Sequence, residues 1–185
     1  MKRLFFAAIL AVMAAVSYAD KGEAADSTSC ILTMKVGPTK DLTKVPLQLS
    51  LTNCVNITCI QCFLATPDST NTFAYGADKK IASERSDRWA GNHQAILAWN
   101  TKDHPNTLMA MVVSTMSEDF NGNDGPIITL YFDASKLSDG DYAIKLTDGN
   151  AVWTDKRKTK VYYSPDTEAP FTIKKGKLVV AKSKK

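Results

Sequence analysis

Apolar side chains recur at every second position along much of this chain, and glycine, asparagine, aspartate and proline break the pattern at short intervals. Leu32, Met34 and Val36 alternate with Thr33 and Lys35, and Leu47, Leu49 and Leu51 alternate with Gln48, Ser50 and Thr52. A period of two puts one face of an extended strand in a core and the other in water. Gly37-Pro38-Thr39-Lys40-Asp41 between the two runs is turn chemistry. Similar runs predict strands over 57–65, 93–99, 107–114, 126–132, 141–147, 151–154, 159–163 and 170–173. Residues 108–113 are continuously apolar, which predicts a strand covered on both faces. Ile128, Leu130 and Phe132 share one face, as do Tyr142, Ile144 and Leu146. Beyond residue 19 only 77–90 could hold a helix, and it is crowded with charged and hydroxyl side chains. Many short strands with turns between them predict an all-β sandwich or barrel. A length of 185 residues, 44% of them hydrophobic and 23% charged, fits one such globular domain.

The amino terminus reads differently. Lys2 and Arg3 precede an apolar run over 4–16, and Ser17-Tyr18-Ala19 puts small residues where a signal peptidase needs them. The run is shorter than the roughly 20 residues of a membrane-spanning helix. We therefore expect 1–19 to be a cleaved signal peptide and 20–29 a short leading segment. The exported protein would be periplasmic, secreted or at the cell surface. No cysteine follows the predicted cut, so a lipoprotein is not expected.

Charge narrows the partners. The formal net charge is +4, but residues 20–173 carry 15 basic and 19 acidic residues. Six lysines and no acid lie from Lys174 onward. Basic residues gathered at the ends and a net-acidic body argue against nucleic acid. The 174–185 stretch is expected to be a Lys-rich tail, with Leu178, Val179 and Val180 able to add one edge strand.

Export makes the cysteines candidates for disulfides. A hairpin centred near Leu42 sets Cys30 against Cys54, the preferred pair, and Cys54 with Cys59 is also sterically conceivable. Cys59-Ile-Gln-Cys62 has redox spacing, but in a strand residues three apart face opposite ways. Zinc held by all four thiols is the remaining alternative, disfavoured by export.

Three stretches together resemble a known family. They are residues 58–67, Thr-Cys-Ile-Gln-Cys-Phe-Leu-Ala-Thr-Pro; Asp87-Arg88 followed by Asn92-His93; and Val112-Val113-Ser114 with Phe120-Asn121-Gly122-Asn123-Asp124-Gly125-Pro126-Ile127-Ile128. In order and spacing they are similar to cohesin-like domains of exported bacterial proteins, within the wider group of carbohydrate-binding-module-like sandwiches. The resemblance covers about 30–173 and implies a jelly-roll β-sandwich of about nine strands, with Cys62 on the core face beside Ile60 and Leu64. Phe63 stands where the family often has Asp, and Cys30, Cys54 and Cys59 are not family features. The function implied is a non-catalytic binding or assembly module with a protein partner. Relatives that bind polysaccharide give the alternative.

Catalysis finds no motif here: there is no Gly-x-Ser-x-Gly elbow, His-Glu-x-x-His helix or phosphate-binding glycine loop. Calcium is the one cofactor left open. Asp119, Asn121, Asn123 and Asp124 resemble the start of an EF-hand loop, but its glycine falls one place late and Leu130 holds the twelfth position. A plain hairpin turn is the expected reading. For polysaccharide the candidate stacking residues are Trp89, Trp153 and Tyr162, while Trp99 shares a face with Leu97 and Ala95 and is expected in the core.

Overall fold

The computed structural model describes residues 30–53, 55–147, 150–154, 159–160, 162–163 and 168–180. The predicted signal peptide, the 20–29 segment, Cys54 and the last five residues lie outside them. Thirteen strands are present among the described residues. They are β1 (Cys30–Val36), β2 (Val45–Thr52), β3 (Cys59–Ala65), β4 (Ser83–Arg85), β5 (His93–Thr101), β6 (His104–Ser114), β7 (Pro126–Phe132), β8 (Gly140–Leu146), β9 (Ala151–Trp153), β10 (Thr159–Lys160), β11 (Tyr162–Tyr163), β12 (Glu168–Lys174) and β13 (Lys177–Val180).

The strands form two sheets packed face to face, an all-β sandwich as expected. Sheet A runs β11-β1-β2-β7-β4. It is antiparallel except where β11 pairs parallel to β1. Sheet B centres on β3. One side of β3 carries β6 and then β5. The other side is shared: β9 pairs with Cys59, Ile60 and Gln61, and β8 pairs with Leu64 and Ala65. At the handover Asn150 stands in for a strand, its side-chain oxygen accepting the Phe63 N–H at 2.9 Å. Beyond β9 lies β10, and beyond β8 lie β12 and β13.

The alternation sets the core. Leu32, Met34 and Val36 on β1 meet Leu47, Leu49 and Leu51 on β2, and Ile60, Cys62 and Leu64 on β3 close the layer from sheet B. Tyr142 and Leu146 pack at its margin with Ile144 inside, and Trp99, Leu97 and Ala95 pack against it from β5. Aliphatic and aromatic side chains in two interleaved layers supply the burial that holds such a sandwich closed.

Several details depart from the sequence reading. The expected strands number about nine; the additional ones are short, and β4 is wholly exposed. Residues 77–90 hold no helix. Turns carry the chain there, with Lys79 at φ 60°, and Ser83, Glu84 and Arg85 pair with β7. The Lys-rich end is strand as far as Val180, in the edge position that Leu178, Val179 and Val180 allowed. In the β1–β2 hairpin Ile31 faces Thr52; the expected Cys30–Cys54 pair involves Cys54, which lies outside the described residues. Among the described residues no helix is long and apolar enough to cross a membrane.

Candidate interaction face

Strands β5, β6, β3 and β9 lie side by side, so their outward side chains form rows across the sheet. One row is Gln94, Val113, Cys59, Trp153; the next is Ile96, Met111, Gln61, Ala151; the third is Ala98, Met109, Phe63. No charged residue occurs in any of them. Cys59, Phe63, Met109, Met111 and Ala151 are buried yet stand apart from the cluster between the sheets. They make a second apolar layer, on the far side of β3 and β6. The continuous apolar run over 108–113 anticipated this. His104 stacks on Phe63 at 3.7 Å between ring centroids and screens one end. Val113, Trp153, Ile96 and Ala98 are half-buried and form the open margin. Sheet A is the opposite case: its outer row Lys35, Gln48, Thr129, Glu84 is polar throughout.

The two cysteines of the Cys-x-x-Cys spacing face opposite ways, as a strand requires: Cys62 joins the core between the sheets and Cys59 the outer layer. Burial pushes both thiols up to about 12, the reverse of an activated thiolate. Cys62 donates weakly to the Ala110 carbonyl at 3.6 Å. Cys30 is buried at the start of β1.

The aromatic residues singled out for sugar do not form a platform among the described side chains. Trp89 is half-buried against the core, its indole N–H donates to the Ile127 carbonyl, and Arg85 lies over its ring at 5.4 Å. Trp153 is half-buried on the outer face of β9, and Tyr162 pairs with Cys30 through β11, its side chain outside the described set.

The 119–125 segment turns its oxygens inward. The Arg88 guanidinium donates five hydrogen bonds, one from each of its N–H groups. Nε donates to Asn121 O at 2.9 Å, Nη1 to Leu51 O at 2.5 Å and Gly125 O at 3.2 Å, and Nη2 to Asn53 Oδ1 at 3.0 Å and Gly122 O at 2.9 Å. Asp124 Oδ1 accepts from Thr52 Oγ1 at 2.5 Å. Gly122 and Gly125 adopt φ of 67° and 111°, which only glycine takes without strain. The Asn121, Gly122 and Gly125 carbonyls thus face the Arg88 cation, while Asp119 Oδ1 is buried with no hydrogen-bond partner among the described residues. Among the described residues no three of His, Cys, Asp and Glu gather to hold a metal.

His93, at the start of β5, stacks on Phe120 at 4.3 Å and has no hydrogen-bond partner for either ring nitrogen among the described residues. Burial lowers its pKa below the ordinary 6.5; the Ala90 and Thr58 carbonyls and Glu118 oppose that, and Arg85 adds to it. Unfolding then takes up a proton wherever the free imidazole is charged and the buried one is not. The stability His93 contributes is full above about pH 6.5 and lost as pH falls toward its folded value. The urea midpoint should be level above neutrality and drop on acidification from there. A His93→Phe variant should show a shallower drop over that interval; an unchanged profile would assign it to other groups.

No protein-family model and no curated protein matches the sequence. Solved structures do. The chain is similar to the sixth cohesin of scaffoldin B from Acetivibrio cellulolyticus, solved with a mutant dockerin, at 13% identity and TM-score 0.55 over 77% of this chain and 96% of that one. It is similar to a cohesin from Clostridium thermocellum solved in a type I cohesin–dockerin complex, at 14% identity and TM-score 0.55 over 77% and 96%. A non-cellulosomal cohesin from the archaeon Archaeoglobus fulgidus gives 10% identity and TM-score 0.52 over 78% and 90%. The fold is that of a cohesin domain. Within this cohesin-like sandwich the three rows across β5, β6, β3 and β9 carry no charged residue.

Proposed function

We propose that this cohesin-like chain is an exported, non-catalytic module that binds a protein partner at the cell surface or in the periplasm. The observation that carries the reading is the second apolar layer on the outer face of sheet B, open along Val113, Trp153, Ile96 and Ala98. A sheet that faced only water would alternate apolar and polar, as sheet A does. An uncharged margin over an apolar layer suits a protein contact, whose core is depleted of charge. The dockerin complexes of two similar cohesins support a protein over a glycan.

The test is capture of envelope proteins on the immobilised chain and on two variants. Val113→Glu places a charge on the open margin; Lys35→Glu changes the outer face of sheet A. A partner should be retained by the parent and by Lys35→Glu, and weakened at least about tenfold by Val113→Glu, the effect of losing roughly 1.4 kcal/mol. Depletion against a polysaccharide panel runs beside it. Retention on a glycan that is lost in Trp153→Ala or Trp89→Ala would replace this reading with carbohydrate binding.

A further inference from the structure

Sheet edges expose unpaired N–H and C=O groups, and soluble proteins blunt them with short strands, charge or proline. Most edges of this sandwich follow that rule. β4 is Ser-Glu-Arg, β13 begins at Lys177 after Lys174 and Lys175, and β10 and β11 comprise two described residues each. β5 lacks such protection over His93–Trp99; its register shifts only beyond that, between Trp99 and Thr101, where Asn100 takes φ 58°. It is nine residues long, reads His-Gln-Ala-Ile-Leu-Ala-Trp-Asn-Thr, and contains neither charge nor proline. Among the described residues it pairs with β6 alone.

The free side of β5 has a defined phase. The Thr115 N–H donates to the Asn92 carbonyl at 3.2 Å, and 92 faces 115 in the β5–β6 register. In an antiparallel ladder the hydrogen-bonding groups alternate sides. Even-numbered residues of β5 therefore bond to β6, and Ala95, Leu97 and Trp99 turn their N–H and C=O to the open edge. His93 agrees, its N–H going to Ala90 O at 3.1 Å.

We propose that this edge pairs with β5 of a second copy of the chain, antiparallel, about a two-fold axis at Leu97. That axis makes Leu97 face its own copy and Ala95 face Trp99 in two symmetric pairs, so all three outward residues form ladder bonds. Side-chain sizes fit: Ala95 lies against Trp99 on the inner face and Ala98 against Ile96 on the outer. The strand is neutral, so no like charges meet at the axis, and the interface is isologous and closed. An edge pair of this length buries less than about 1,000 Å², which sets a reversible, concentration-dependent dimer and not a permanent one. This pairing uses the backbone edge of β5, whose outward Ile96 and Ala98 also border the docking face proposed above; Ala95→Pro, with its side chain on the inner face, separates the two.

Sedimentation equilibrium of the purified exported chain, residues 20–185, over a dilution series tests it. The mass should rise from that of one such chain toward twice that value with concentration. Ala95→Pro deletes an N–H that β6 does not use, and should leave the circular dichroism intact while holding the protein monomeric. A second set fixes the register. Ile96→Lys and Ala98→Glu should each weaken the dimer, and the two together should restore it, because 96 faces 98 of the other copy. Monomer throughout the series would overturn the proposal and leave the edge to an extended segment of another protein. A folded Ala95→Pro that still dimerises, or a folded double variant that stays monomeric, would overturn it as well.

Discussion

Arg88→Met is expected to lower the unfolding free energy by about 3–5 kcal/mol and the melting temperature by roughly 10 °C. Arg88 is 7% exposed, and its guanidinium joins three separate parts of the chain: the end of β2 through Leu51 O and Asn53 Oδ1, its own segment before β5, and the turn before β7 through three carbonyls. Burial lowers its pKa from the usual value, and Asp124 opposes that. It stays charged at any ordinary pH. Deleting it takes the guanidinium donor from the Leu51, Asn121 and Gly122 carbonyls and the Asn53 amide oxygen, while Gly125 O keeps a backbone donor, and a buried acceptor left alone costs about 1–3 kcal/mol before the loop relaxes. Leu51 also donates to Gly125 O at 3.0 Å and Asn53 to Asn123 O at 2.7 Å, so the turn keeps part of its anchorage. That is why the total is below the sum of single losses. Arg88→Lys should recover only part of the loss, because an ammonium has three donors and cannot match the planar fork. Urea unfolding of the three proteins checks this. A loss under about 1 kcal/mol in the methionine variant would mean that water replaces the guanidinium at no cost.

Arg88 also shows where sequence patterns stop. Its partners lie 33 to 37 residues away, and four of its five contacts are to backbone carbonyls, which leave no trace in side-chain identity. By composition it sits in a polar segment that reads as solvated. Only the family-like order Asp87-Arg88 then Asn92-His93 marked it. β4 was equally silent, since Ser83, Glu84 and Arg85 bury nothing and are held by pairing with β7. Strands with one wet face were plain from alternation, as β1, β2 and β7 show. The dry strand β6 was plain from its unbroken apolar run, although what that run implied, an uncharged outer face extending over β3 and β9, needed the register to appear. Trp89, a stacking candidate among charged neighbours, instead bonds the Ile127 carbonyl through its indole, another long-range backbone contact.

Phe171→Ala is expected to cost a similar amount, about 3–5 kcal/mol, for a different reason. Phe171 is on β12, where it faces Tyr142 of β8 in the register of sheet B. Its ring stacks on Tyr142 at 5.7 Å and meets Phe132 of β7, in sheet A, at 5.2 Å and 52°. The contact therefore spans the two sheets near one edge of sheet B, and both phenylalanines are almost fully buried. Alanine opens a cavity between layers whose backbones are fixed by their own ladders, so little collapse can offset it. Phe171→Leu keeps most of the volume and should lose about 1–2 kcal/mol, chiefly ring–ring attraction. A double-mutant cycle with Phe132→Leu separates the two effects. Coupling of about 0.5–1.5 kcal/mol would assign the loss to the aromatic pair. Coupling near zero would mean that Phe171 only fills volume, and that the sheets are held together by the aliphatic rows of β1, β2 and β3 alone.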